Sequence, residues 1–183
     1  MHTHALIALA PLVGWAVHGS LLARRLAAAR RDPLTGLHTR AGWTTRAEQL
    51  IRRYQGAAVL LVDLDRFEEL NDTHGHAAGD AALTEAAARL TTWCGRRGVA
   101  GRLGGDEFVA AIPCLPDDGI DALTVALHQP LRFGGASLPL AASIGVCRVA
   151  DLPLPSLTDA LAAADAAMYA AKGRGRRGTQ LNH

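Results

Sequence analysis

Arg102-Leu103-Gly104-Gly105-Asp106-Glu107-Phe108 joins two largely apolar runs, Val99 to Leu103 and Phe108 to Ile112. Paired glycines supply the positive φ that a tight turn needs, because they have no Cβ to clash. The flanking runs therefore predict a β-hairpin with two acids just past its tip. Neighbouring residues of a strand face opposite ways, so Asp106 and Glu107 need not share one role. Taken alone, the string fits a solvated acidic turn as well as a site.

Before the hairpin, Ala57 to Val62 reads as a short buried strand ending in Asp63-Leu64-Asp65. Trp43, Ala47, Leu50 and Ile51 recur at helical spacing ahead of it. A polar loop, Asn71 to Asp80, leads into a helix whose buried face is Leu83, Ala86, Ala87, Leu90 and Trp93. Beyond the hairpin, Ile120, Leu123, Thr124 and Leu127 predict a helix stopped by Pro130. Leu138 to Arg148 reads as one strand, paired with Leu131 to Phe133 across Gly134-Gly135. A last helix is predicted from Ser156 to Lys172, ended by Gly173, Gly175 and Gly178. The order α-β-α-β-β-α-β-α, with short connections, predicts an α+β fold: one mixed sheet with helices packed on it.

The 183 residues suit one domain plus a small extra segment. A formal charge of +2 argues against a broad nucleic-acid-binding surface. Cys94, Cys114 and Cys147 lie far apart without metal-like spacing, as expected of reduced, mostly buried thiols in a cytosolic domain. Residues Ala5 to Ala23 carry no Asp, Glu, Lys or Arg, and Arg24, Arg25, Arg30 and Arg31 follow. That pattern fits a minimal membrane span with the rest of the chain on the cytoplasmic side, or a helix pairing with its own copy in water. Pro33 disfavours helix at Asp32. The chain thus divides into an N-terminal apolar helix, 1–31, and a domain, 32–183.

If the strand ending at Asp63 neighbours the hairpin, the carboxylates of Asp63, Asp106 and Glu107 converge. Like charges that close call for a cation, and hard oxygen donors suit Mg²⁺, with Mn²⁺ as its substitute. Two such ions can activate a hydroxyl and neutralise a leaving phosphate. Asn71 and Asp80 suit the donor and acceptor edge of guanine, while Asp80 equally suits a helix start. Lys172, the only lysine, and Arg176 suit either a helix C-terminus or a triphosphate.

Seven stretches then decide the matter together: Asp32-Pro-Leu-Thr-Gly-Leu37, Asp63-Leu-Asp-Arg-Phe67, Asn71-Asp72, Gly75-His-Ala-Ala-Gly-Asp80, Arg102 to Phe108, Ser143-Ile-Gly145 and Asp165-Ala-Ala-Met-Tyr-Ala-Ala-Lys172. Their kind and order resemble the diguanylate cyclase (GGDEF) family from Asp32 to Arg176. The resemblance implies a palm-like, mainly antiparallel sheet flanked by helices, and condensation of two GTP into cyclic di-GMP with release of pyrophosphate. It implies Mg²⁺ ligands at Asp63, the Leu64 carbonyl and Asp106, and Glu107 assisting deprotonation of the ribose 3′-hydroxyl, also within reach of metal. It implies guanine readers at Asn71 and Asp80. Phosphate would lie on Lys172, Arg176 and the backbone near Arg66, Phe67, Gly104 and Gly105. Each chain would hold one GTP, so catalysis requires a homodimer of facing half-sites, here with inner-membrane association through residues 5–23. A catalytically weak or inactive GTP-binding or partner-binding module is the alternative.

Two departures stand out. Glu68 occupies a position where the family usually has lysine, and an acid there repels a triphosphate. The inhibitory Arg-x-x-Asp pattern of many members falls, counted back from Gly104, on Gly95 and Gly98, which have no side chains. Initial rates with added cyclic di-GMP at several GTP concentrations are therefore expected to show only weak, competitive inhibition. Tight non-competitive inhibition abolished by Arg96→Ala would contradict this.

Overall fold

The computed structural model describes residues 30–178, with side chains as far as Lys172. The residues read as a membrane span, 5–23, and those of the tail after Gly178 lie outside the described part. Among the described residues, no helix is long and apolar enough to cross a membrane.

The chain runs β1 (His38–Thr39), α1 (Arg40–Arg53), β2 (Ala58–Leu64), α2 (Phe67–His74), α3 (His76–Cys94), β3 (Val99–Gly104), β4 (Glu107–Ile112), α4 (Gly119–Leu127), β5 (Leu131–Phe133), β6 (Ala136–Leu138), β7 (Ala142–Arg148), a 3₁₀ turn (Val149–Asp151) and α5 (Leu157–Gly178). Five strands form one sheet in the order β1-β3-β4-β2-β7. Only the β1–β3 pair is parallel. β2 is buried on both faces, which explains its unbroken apolar run. Leu60, Val62 and Leu64 pack against Leu83, Leu90, Leu123 and Leu127 of α3 and α4. Val59 and Leu61 pack against Trp43, Ile51, Ala160 and Ala164 of α1 and α5. Each such aliphatic side chain contributes about 1.5–3 kcal/mol when fully removed from water.

Four sequence expectations are corrected. The strand predicted over Ala57 to Val62 continues to Leu64, because its ladders extend to Glu107 on β4 and Ala142 on β7. Leu138 to Arg148 is two strands. Pro139, with no N–H to donate, lies between them, so β6 forms a separate ribbon with β5 that packs on α3. Asn71 to Asp80 is two helices joined only at Gly75, where φ is 82°. The last helix also runs through Gly173 and Gly175 to Gly178 instead of stopping at Lys172; mid-helix glycine costs only about 1 kcal/mol against alanine.

Gly145 on β7 seats α5. A Cβ there would lie 1.9 Å from the Ala164 carbonyl and 2.7 Å from the Met168 Cβ. Bare backbone lets the helix lie directly on the sheet, and Lys172 follows Met168 by one turn. Gly145→Ala is expected to cost about 1–3 kcal/mol through overpacking, read by urea denaturation.

Candidate functional site

Asp63 lies one residue from the end of β2, directly opposite Glu107 on β4 and Ser143 on β7. Directly paired residues share a face, with Cβ atoms about 5 Å apart. Asp63 follows Val59 and Leu61 at the strand's period of two, so it lies on the α5 side. There the Lys172 Nζ donates to Asp63 Oδ1 at 2.6 Å. Asp63 is largely shielded and Lys172 about one-third exposed.

The hairpin tip holds Asp106. Gly104 and Gly105 have φ of 153° and 51°, a combination open to glycine but not to side chains with a Cβ. The β3–β4 register slips between Arg102 and Gly104, so the ladder is interrupted beside the acids. The Asp106 carbonyl accepts the Leu64 N–H at 3.3 Å, tying the tip to β2. Burial pushes the Asp106 carboxyl above the ordinary range, and the Asp63 and Glu68 carboxylates add to this; its own backbone N–H and Lys172 oppose it. Glu68 therefore lies within electrostatic reach of the site.

Arg102 holds the tip from below. Its guanidinium donates twice to the Gly105 carbonyl, at 2.9 and 2.6 Å, and once to Asp32 at 3.2 Å. Asp32 also accepts the Thr35 N–H and hydroxyl. Burial opposes ionisation of Asp32, yet these Thr35 and Arg102 contacts outweigh it and hold the carboxyl below its usual value. Sequence reasoning quoted Arg102 and Asp32 but gave them no joint role; a charged pair separated by 70 residues leaves no local spacing signal.

The turn after β2 is unusual. Arg66 is the one non-glycine among the described residues with positive φ, 58°. It precedes α2, whose start has no side-chain cap. The orphan N–H groups of this first turn belong to Phe67, Glu68 and Glu69. Ser143 Oγ donates to Asp65 at 2.7 Å, and Asp65 N–H donates to the Ala141 carbonyl at 2.9 Å, anchoring the turn to β7.

Across the α2–α3 joint, Asn71 rests on Gly79, the residue before Asp80. A Cβ at Gly79 would lie 1.9 Å from Asn71 Oδ1, so the amide rests on bare helix backbone. Asp80 follows Gly79 as the fifth residue of α3 and is exposed. A helix leaves its N–H groups unsatisfied only over the first four residues, so capping does not account for Asp80. Arg176 falls on the last turns of α5, beyond the described side chains.

Among the described residues, no three acidic, histidine or cysteine side chains form a preassembled metal cage. Convergence is thus partial: Asp63 and Glu107 are paired, and Asp106 sits beside them on the turn. Asp63, Asp106 and the Leu64 carbonyl all offer oxygen, the donor type that a hard divalent ion takes. The raised Asp106 and the ammonium resting on Asp63 are what a site with surplus negative charge produces.

A sequence profile described as "Diguanylate cyclase, GGDEF domain" matches residues 29–178. An uncharacterised 19.3 kDa protein of Streptomyces ambofaciens is 73% identical over 94% of this chain and 94% of its own length. Diguanylate cyclase TpbB of Pseudomonas aeruginosa is 36% identical over 84% of this chain, which spans 37% of TpbB. The crystal structure of the TpbB GGDEF domain superposes with a TM-score of 0.73 at 32% identity, covering 79% of this chain and 89% of that one.

Asp106 binds protons more readily folded than unfolded, so its ionisation weakens the fold as pH rises from about 4 through its raised value. Asp106→Asn is expected to raise the melting temperature at pH 7 in metal-free buffer by about 1–3 °C, with the gain vanishing below about pH 4. Equal melting of variant and wild type at both pH values would refute this cost of ionising Asp106.

Proposed function

Because the chain belongs to the diguanylate cyclase GGDEF domain family, we propose that it joins two GTP into cyclic di-GMP, releasing one pyrophosphate per bond formed. In each step a ribose 3′-oxygen forms a bond to the α-phosphorus of the facing GTP, and the bond from that phosphorus to the β-phosphate bridging oxygen breaks. The observation that carries this reading is the pairing of Asp63 with Glu107 beneath Lys172.

Asp63, the Leu64 carbonyl and Asp106 would hold Mg²⁺ or Mn²⁺, which when bound neutralises phosphate charge and acidifies the attacking hydroxyl. Glu107 accepts the 3′-proton. The first-turn N–H groups after Arg66 and those of Gly104 and Gly105 receive phosphate oxygens, aided by Lys172 and Arg176. Lys172 exchanges its contact with Asp63 for one with phosphate. Asn71 and Asp80 pair with the guanine edge, and adenine would leave both unpartnered. Each chain supplies one half-site, so two chains face each other. The uncharged run 5–23, followed by Arg24 and Arg25, supports attachment to a membrane surface, tested by fractionation of cells expressing the full chain.

Glu68 favours a second reading, a weakly catalytic GTP-binding module, since its charge adds to that of Asp106 where a triphosphate must lie. Purified chain incubated with GTP and Mg²⁺ and resolved by chromatography separates the two readings. The cyclase reading expects cyclic di-GMP, cut at least ~100-fold by Glu107→Ala with melting unchanged. Asp80→Ala is expected to raise KM for GTP by about tenfold or more with little change in stability. Bound GTP without product, with turnover appearing in Glu68→Lys, would favour the module.

A further inference from the structure

Between α4 and β7 the chain leaves the main sheet and forms the β5–β6 ribbon. Both ends of this excursion are pinned. At its entry stands Arg89 of α3, whose side chain is 13% exposed. One guanidinium nitrogen donates to the Leu127 carbonyl at 3.2 Å and to the Gln129 carbonyl, and another donates to the Pro130 carbonyl at 3.2 Å. The Leu127 carbonyl is one of the last four of α4, which lack a partner within the helix. Arg89 thus closes α4 and fixes the approach to β5 at once, while its Nε donates to Glu85 at 2.9 Å. At the exit, the Ala141 carbonyl accepts the Asp65 N–H. The His128 Nε2 lies 3.1 Å from both the nitrogen and the carbonyl oxygen of Ala142, a tie that either tautomer makes.

The pinned ribbon carries a separate apolar cluster. Leu131, Leu138 and Leu140 pack with Ala78 and Ala82 of α3, and Leu70 of α2 packs against the same group. These helical residues flank the two candidate guanine readers. Leu70 precedes Asn71, while Ala78 and Ala82 lie on either side of Asp80. α2 buries no residue fully, and its only apolar side chains are Phe67 and Leu70. The ribbon is therefore much of what seats the turn of α2 that carries Asn71.

Resting on the assignment of Asn71 and Asp80 to guanine, we propose that the β5–β6 ribbon sets the spacing between these two readers. Arg89, remote from the substrate, is then a positioning residue for nucleobase recognition. Its planar fork reaches several carbonyls at once, which no other side chain does. A carboxylate accepts two guanine N–H donors only where both lie within hydrogen-bond reach, and a drift of about 1 Å is enough to lose productive geometry. Asp63 and Glu107 stand on the main sheet, so a loosened ribbon weakens base reading and leaves the reacting end in place.

The test compares the full chain with its Arg89→Met variant in two measurements. Amide hydrogen exchange without nucleotide reads the joint whether or not the chain is a cyclase. Residues 70–82 are expected to exchange at least about tenfold faster in the variant, with the amides of β2 and β4 unchanged. Steady-state kinetics with GTP and with inosine triphosphate, which lacks the 2-amino donor of guanine, reads base recognition. KM for GTP is expected to rise at least about tenfold with kcat within about threefold, and the preference for GTP over inosine triphosphate to narrow by about the same factor. Arg89→Lys keeps the charge but cannot fork over several carbonyls; it is expected to move the same quantities less, and it supplies the comparison if Arg89→Met does not fold. Unchanged exchange at 70–82, or a fall in kcat with KM and the preference unchanged, would overturn the proposal. A wild-type chain that turns over neither nucleotide would refute the cyclase reading instead, and the exchange result alone then decides whether Arg89 holds the joint.

Discussion

The bare backbone of Gly145 is the contact on which the site depends. Because α5 rests directly on β7 there, its next turn carries Lys172 over the end of β2. Asp63 would otherwise sit at the end of an apolar strand beside Glu107 with no opposing charge. Burying a charge requires a partner, and the ammonium is that partner. In the proposed reaction the same ammonium would donate hydrogen bonds to phosphate, so that helix seating, fold stability and substrate binding would share one residue.

Negative charge is concentrated at one end of the central strands and positive charge at the opposite end. Asp63, Asp106, Glu107 and Glu68 gather where β2 and β4 meet, while Arg31, Arg46, Arg53, Arg96 and Arg97 line the far end of β3. The near-zero net charge hides this separation. Asp32 and Arg102 join the N-terminal turn to the hairpin tip that carries Asp106.

The strands and helices with strong periodicity were legible. β3 and β4 around Gly104-Gly105, the buried face of α3 and the helix holding Trp43 stand where their patterns place them. Weaker signals failed for identifiable reasons. Residues 71–80 look like a loop because they are polar, yet α2 packs only one side and buries no residue fully, so it has no apolar stripe to display. Leu138 to Arg148 looks continuous because Leu140 is apolar, but Leu140 packs in the small cluster with Leu131 and Leu138 and not on the main sheet.

The sequence by itself determined the kinds of chemistry present: carboxylates at a strand end and a hairpin, one lysine, an amide and an acid around a glycine-rich joint. Those follow from residue types and local spacing, which physics reads within a few residues. Only the tertiary structure decided which of them meet. Asp63 and Lys172 are 109 residues apart, Asp32 and Arg102 are 70 apart, and Asn71 rests on Gly79 only because α2 folds back on α3. Such meetings depend on close approaches at Gly79 and Gly145, and a glycine in a sequence does not say which partner its missing side chain makes room for.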